Sequence, residues 1–510
     1  MPTRRPLDPQ IDTVFFPEDG GQHGGIDKTS GVARWFISDT AYDELINAMP
    51  LGPLLQQVPP PGAVIATLPS PVIWMSAQVL NQALYLFSLC TNGAIYQTSL
   101  GGSVTTVTPP GTMSANCDIA NWQGTQIIFS DLNAAKVYAW NGSVFSTVFS
   151  SQPAAFITVY SNRLWLANQS TITFTAGGTY YNLGGEGGSF LITEMDCPPP
   201  IRMLAPYGGN LYVAGYNWIR IYGGLYDTGQ PAVLQFQTST LTDEAGLINK
   251  WSFLPAGYAV YYSSLYGIWG LLGSQPIDVS DPITGFFQNL GVANSSFSAA
   301  WGQILGVWVL CWNVFYASDS TYRIMCLVYN PNAQTQLWFS LNQGNIAFIT
   351  YGVDQTNGQQ KIFGVDTAGK IYQICGGTGN VTSKINTKLW CFGTRIREKT
   401  IIRAGVELIA SFSSTVALTA VDESLNTYTP DLQSTNPTLA FIWYNPTATF
   451  AWSNAGPFTW STLGPQYKLM EFDLPITVKR LGLNLTLTGS AAAIGAFAVE
   501  YTELPADWGA

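Results

Sequence analysis

A short hairpin, repeated along most of the chain, dictates what this sequence can become. Its cleanest copy is GGNLYVAGYNWIRIYGG, Gly208 to Gly224. Leu211, Tyr212 and Val213 read as one strand, Gly215 to Asn217 as a tight turn, and Ile219 to Tyr222 as the returning strand. Turn residues close both ends, and the apolar residues between them are β-branched or aromatic, the composition of a pleated hairpin. Variants start at Ala83 (ALYLFSLCTNGAIYQTSL), Gln126 (QIIFSDLNAAKVYAWNG), Arg163 (RLWLANQSTITFTAGG), Ala259 (AVYYSSLYGIWGLLG) and Lys361 (KIFGVDTAGKIYQICGG). From Leu84 through Ile128, Leu164, Leu211 and Val260 the starts recur about every 40 to 50 residues, the period of a four-stranded propeller blade. The rhythm lapses between Trp301 and Ser340 and resumes at Ile362. One blade cannot bury both faces of its small sheet, so blades must pack around an axis. The expectation is an all-β propeller of about six or seven blades.

A chain of 510 residues exceeds one ordinary domain, so an accessory domain is expected beside the propeller. Only 10% of residues are charged, which leaves a surface either covered by something else or made soluble by Ser, Thr, Asn, Gln and Gly. The net charge of −10 argues against a dedicated nucleic-acid binder. It is compatible with a wall along which DNA slides without being held, because an acidic or neutral wall does not retain phosphate. The basic opening MPTRRPLDPQ has no apolar run after it and does not read as a secretory signal. ILGVWVLCW, Ile304 to Trp312, is too short for a membrane helix and suits a buried strand. Seven widely spaced cysteines without a CxxC pair read as buried thiols made in a reducing cytoplasm.

Composition divides the chain into three. Residues 1–62 read as an extended N-terminal arm, with a short helix around Tyr42 to Asn47 between glycine- and proline-rich pieces. Residues 63–380 form the propeller. Residues 381–510 have longer alternating strands and read as a C-terminal β-sandwich-like domain, the alternative being that part of this region closes the propeller ring with a last strand. The third region is also unusually basic at its start. Lys384, Lys388, Arg395, Arg397, Lys399 and Arg403 crowd one stretch of a chain holding only 21 Lys and Arg. Arg395, Arg397 and Lys399 alternate, the pattern of one strand face. Lys388, Arg395, Arg397, Lys399 and Arg403 are therefore the candidate interface or phosphate-facing residues. The plainer alternative is a solvated face paired with Glu398 or Glu407.

No catalytic set stands out. The only histidine, His23, lies in GGQHGG, where nothing in the sequence would hold it as a base. One His and scattered Cys supply almost no zinc ligands, and no EF-hand spacing occurs; no cofactor is expected. The pairs Asp43/Glu44, Asp243/Glu244 and Asp422/Glu423 are adjacent, so in strands they point to opposite faces. Carboxylates from different blades could still converge, as in a propeller glycosidase. GGTGNVTSK, from Gly376, fails the P-loop spacing. SNAGPFTW, Ser453 to Trp460, echoes the Asp-box turn of sialidase propellers but has Ala455 and Pro457 where that turn needs Asp and Gly.

One stretch goes beyond pattern. LINKWSFLPAGYAVYYSSLYGIWGLLGSQPIDVSDPITGFFQNL, Leu247 to Leu290, resembles the central segment of the tail nozzle proteins of short-tailed bacteriophages, including the packaged-DNA stabilisation (tail tubular) propeller proteins. The resemblance lies in a strand ending in Gly267, Ile268 and Trp269, then Gly273, Pro276, Val279, Ser280 and an aromatic before Leu290. ELINAMPLGPLLQQVPPPG, CLVYNPNAQTQLWFSL, TAGKIYQICGG and INTKLWCFGTRIREKTIIRAGVEL resemble further pieces of the same family. The resemblance implies a non-enzymatic virion protein, made in the host cytoplasm and located in the tail. Copies, six by resemblance, would form a closed ring below the portal and its head-tail adaptor ring, contact tail fibre or spike proteins, and retain and then conduct double-stranded DNA without sequence specificity. It also implies no membrane span and no catalytic residues to carry over. A carbohydrate-binding host-attachment propeller and a propeller glycosidase are the other readings.

Overall fold

The computed structural model describes residues 11–18, 21–28, 34–108, 112–228, 233–257, 259–271, 275–287, 297–316, 321–329, 336–392, 395, 397–410, 414–429 and 466–503. These fall into two compact units. One comprises Pro61–Gln336 and Leu341–Gly377, the other Met1–Pro60, Leu337–Ser340 and Thr378–Ala510.

The first unit is a β-propeller whose described strands make seven blades. Each quoted hairpin supplies the second and third strands of a blade. In chain order these are Ala83–Cys90 with Ile95–Ser99, Gln126–Asp131 with Lys136–Trp140, Arg163–Asn168 with Thr171–Phe174, Asn210–Ala214 with Ile219–Thr228, and Ala259–Ser263 with Ile268–Leu271. The last blade uses Gln360–Asp366 with Lys370–Gln373. The sixth blade fills the stretch where the rhythm lapses, with Ser298–Ile304, Val307–Tyr316 and Thr321–Val328. Its hairpin strands are longer than most, so the period stretches there without the architecture changing.

Blade stacking explains the near-continuous apolar runs. In Ala83–Cys90 every residue from Phe87 to Cys90 is buried, because both faces of the strand are covered by neighbouring blades. One core layer joins Phe348 and Phe363 of the last blade to Phe87 of the first and Phe129 of the second. Further layers join the second blade to the third, the third to the fourth and the fourth to the fifth. The ring closes through Val64–Thr67, which pairs with Lys370–Gln373 as the outer strand of the last blade. Closure thus comes from the segment before the first blade, and not from the C-terminal region.

Five of the turns from first to second strand share one geometry. Both central residues have positive φ in Asn81/Gln82, Gln123/Gly124, Ser161/Asn162, Gly208/Gly209 and Leu305/Gly306. This is the type I′ turn, whose twist matches that of the flanking strands. Side chains tie these turns to the preceding blade: Tyr160 donates to the Gly209 carbonyl at 2.6 Å, and Tyr207, its counterpart one blade on, to that of Gly257 at 3.0 Å.

The second unit contains two sheets. One runs Ala48–Leu51, Leu54–Gln57, Ala493–Glu503, Lys399–Ala410 and Gln466–Val478, with Ile11–Phe16 also pairing on Ala493–Glu503. In this unit Trp338–Leu341 continues into Tyr42–Ile46, Val381–Thr387, Leu481–Gly489, Thr415–Asp422 and Thr427–Tyr428 as the other. Side chains from both meet: Tyr42 lies 6.4 Å from Phe497, and Gln57 Nε2 donates to the carbonyls of Val381 and Leu487 at 2.9 and 3.2 Å. The C-terminal region is therefore sandwich-like, as its strand pattern implies.

Two expectations for the N-terminal segment are corrected. Residues 1–62 are not a separate arm: Ile11–Phe16, Tyr42–Ile46, Ala48–Leu51 and Leu54–Gln57 are strands within the sheets of the second unit. The stretch expected as a helix around Tyr42 is the strand Tyr42–Ile46, paired with Val381–Thr387. Its neighbours decide this, because an isolated stretch so short gains little as a helix, whereas a sheet edge supplies backbone partners at once.

Candidate functional site

The inner strands of the propeller are Val72–Leu80, Cys117–Trp122, Phe156–Tyr160, Met203–Tyr207, Leu254–Ala256, Ser298–Ile304 and Ile346–Val353. All seven contribute to the walls of a cavity of about 410 Å3 on the propeller axis. Exposure rises along these strands. Met75, Ile119, Thr158 and Leu204 are buried, Gln78, Asn121 and Val159 half-buried, and Pro206 exposed. The cavity therefore opens where the inner strands run into their I′ turns.

The opposite end is closed by the single-turn 3-10 helix Lys250–Ser252, whose Asn249 cap accepts from the Ser252 N–H at 3.0 Å. Lys250 Nζ donates to both carboxylate oxygens of Asp118 at 2.6 Å and to the carbonyls of Ile119 and Ile157 at 3.2 Å. Asp118 also accepts from the Ile157 N–H at 2.7 Å. A residue from the segment between blades four and five is thereby bound to blades two and three. Trp251 continues the closure, stacked on Trp74 with centroids 5.4 Å apart and edge-on to Phe348 at 5.7 Å. The propeller axis is a blind well.

No protein-family model matches this chain, and no curated protein matches it. Solved structures do. The chain is similar to U3-55K at 10% identity, with a TM-score of 0.38 and coverage of 62% of this chain and 99% of that chain. It is similar to the RRP9 WD40 repeats at 11% identity, with a TM-score of 0.40 and coverage of 62% and 99%. Streptogramin B lyase follows at 13% identity, with a TM-score of 0.39 and coverage of 60% and 95%.

The basic segment of the second unit does not form one row. Only Lys399 of the alternating three lies in a strand; Arg395 is exposed in a turn and Arg397 half-buried in a bend before it. Lys399 is fully buried, its ammonium donating to the Arg397 carbonyl at 2.8 Å, and burial lowers its pKa. Arg397 faces Glu503 at 3.5 Å, Arg403 faces Asp473 at 3.2 Å, and Lys388 faces Asp39 at 2.7 Å. These acidic partners lie far away in sequence, Glu503 and Asp473 on strands and Asp39 in a turn. Arg395 and Arg403 are the members that stand exposed.

His23 is also placed otherwise than GGQHGG suggests. It is buried, donates from Nε2 to the Gly495 carbonyl at 2.7 Å, and therefore accepts at Nδ1 from the Tyr42 hydroxyl. Burial lowers its pKa to about 4, outweighing the opposing backbone hydrogen bonds. Burial likewise raises that of Tyr42, so the phenol keeps its proton. A neutral imidazole here joins the N-terminal strands to the last one of its unit.

Asp243 and Glu244 are exposed, and the other two carboxylate pairs have structural partners. Asp43 faces Lys28 at 3.7 Å, Glu44 accepts from Asn386 at 2.9 Å, and Asp422 caps its turn by accepting from Ser424 and Asn426. The Ser453 to Trp460 turn lies outside the described residues. Among the described residues no group of three His, Cys, Asp or Glu stands together to hold a metal, and no helix is long and apolar enough to cross a membrane. Sequence reasoning missed Lys250, Trp251 and Asp118. The available signal was a lysine beside a tryptophan, in LINKWSF, between hairpins of a charge-poor chain.

Proposed function

We propose that this chain is a structural protein of a short-tailed phage particle, forming the tail nozzle ring below the portal and adaptor and closing the DNA channel until infection. The motif resemblance from Leu247 to Leu290 raises this reading, and the plugged axis supports it. A propeller strapped across its centre by Lys250 and Asp118 is a solid block, suited to act as a rigid spacer, so the conduit in such a ring runs between copies. The loops of the terminal domain or the inter-blade turns would form the constriction.

A ring also needs lateral contacts that close head-to-tail. Exposed apolar residues at the propeller rim offer them: Val104 and Ile277 on outer strands, Val144 in an outer turn, and Leu191 and Met195 at the edge of the third blade. Met195 is 100% exposed in the single chain, which suits a side chain that a neighbour covers. Adaptor, fibre or spike contacts fall to the remaining surfaces.

The test is antibody labelling of this protein on particles from the source culture, viewed by negative-stain electron microscopy. Label at one vertex, on a stubby tail, is the expected result. Label on a cell envelope, or protein found only in the soluble fraction, overturns the proposal. Leu191→Asp with Met195→Asp should additionally leave the chain folded and abolish its rings.

A further inference from the structure

We infer that the blind well on the propeller axis is a binding site for a neutral saccharide, bound and not cleaved. The well has the size expected of a small-molecule site, with Trp251 at its base and walls of mixed polar and apolar side chains. Its charge is already spent. Lys250 directs its ammonium to Asp118 and two carbonyls, and no carboxylate lines the cavity among the described residues. Among the described residues a ligand entering it meets no free cation, carboxylate or imidazole, and burial pushes the pKa of the one phenol, Tyr351, up to about 12, which disfavours anionic ligands and hydrolysis alike.

What the walls present is neutral hydrogen-bonding capacity. Gln78 donates its amide N–H to the Ser76 hydroxyl at 2.8 Å, and its amide oxygen has no partner among the described residues. The Thr158 hydroxyl makes no hydrogen bond among them either, although the residue is buried. The Thr350 hydroxyl accepts from the Ala77 N–H at 3.3 Å and keeps its own proton to donate. These groups come from three different inner strands and line the same cavity as Trp251. A sugar ring matches this arrangement. Its hydroxyls pair with amide and hydroxyl groups that would otherwise stay unsatisfied, and its C–H surface meets the indole. A purely apolar ligand would strand the wall groups, and a phosphorylated one would bring a charge with no partner.

The site goes beyond the nozzle reading and does not depend on it. Saturation-transfer difference NMR on the full-length chain tests it, with the methyl glycosides of glucose, galactose and N-acetylglucosamine, and with adenosine and inorganic phosphate as controls. The expected result is saturation transfer to at least one glycoside, with affinity lowered about tenfold by Gln78→Leu or Thr158→Val, the loss expected for one hydrogen bond. Ala205→Tyr, which narrows the well from its wall, should abolish binding. No transfer to any glycoside overturns the inference, as does binding of adenosine or phosphate alone, or glycoside binding that Ala205→Tyr leaves unchanged. Should these variants fail to fold, crystals of the unaltered chain soaked in the bound glycoside decide it. Density against Trp251 and Thr158 supports the site, and density elsewhere rejects it.

Discussion

Lys250 Nζ stands 2.6 Å from both carboxylate oxygens of Asp118, although 132 residues separate the two in sequence. The pair spans the propeller from the segment before blade five to blade two, so each partner is buried only because the other is there. Removing one leaves an uncompensated charge, which costs about 3–5 kcal/mol at buried sites. Lys250→Met and Asp118→Asn should each lower the unfolding free energy of the propeller by that order in denaturant titrations. The double variant Lys250→Met/Asp118→Asn should lose less than the two single losses added together. Strictly additive losses in denaturant titrations would show that the two residues do not act as one strap.

His23 makes a second unit sensitive to acid. Its folded pKa is lowered to about 4 from an ordinary 6.5, so the unfolded chain binds the proton first as pH falls. The stabilisation it confers is whole above pH 6.5, falls through the window from 6.5 to 4, and levels off below. Over that window the loss is about 3 kcal/mol. His23 is the only histidine in the chain, so its imidazole resonances can be followed by NMR without ambiguity. A midpoint near 6.5 in the folded protein would refute the burial argument. His23→Gln should flatten the pH dependence of stability between 4 and 6.5.

The hairpins were legible in the sequence because each carries its own information: turn residues at fixed offsets and apolar residues on both faces. Six copies read from sequence fall on observed strand pairs, and Ala214 pairs Ile219 across the turn assigned to Gly215–Asn217. Long-range placement was not legible. Residues 1–62 look like an arm because single strands such as Ile11–Phe16 show their partners only in the fold, here Ala493–Glu503. Arg395, Arg397 and Lys399 alternate as a strand face should, but the strand starts at Lys399, and Glu503, Asp473 and Asp39 come from elsewhere in the chain. The well was missed for the same reason, since seven separate strands build it.

Ring closure by Val64–Thr67 gives a third expected outcome. Ala66 is 8% exposed and pairs with Ile371 in the last blade. A carboxylate there has no partner, and burying it unpaired is strongly unfavourable. Ala66→Asp should release the closing strand and open the junction between last and first blades, where Phe348, Phe363 and Phe87 share one core layer. Limited proteolysis should then cut between residues 61 and 71 well before the rest of the propeller. Unchanged cleavage kinetics would mean that the ring holds without this strand.

Leu305 offers a change in the opposite direction. It occupies the first central position of the I′ turn before Val307–Tyr316, with φ of 52°, and its side chain is 43% exposed. Left-handed backbone costs a residue with a branched Cγ and no local hydrogen bond about 1 kcal/mol more than it costs Asn or Gly. The equivalent turns use Asn81, Gln123, Ser161 and Gly208, all polar or glycine, and Asn, Ser and Gly tolerate this conformation or can bond to their own backbone. Leu305→Asn creates the Asn-Gly pair that I′ turns favour most, and removes an exposed apolar side chain without touching the core. The variant should be more stable by about 0.5–1 kcal/mol in denaturant titrations. A loss of stability would mean that the Leu305 side chain makes contacts in solution that outweigh the backbone strain it carries.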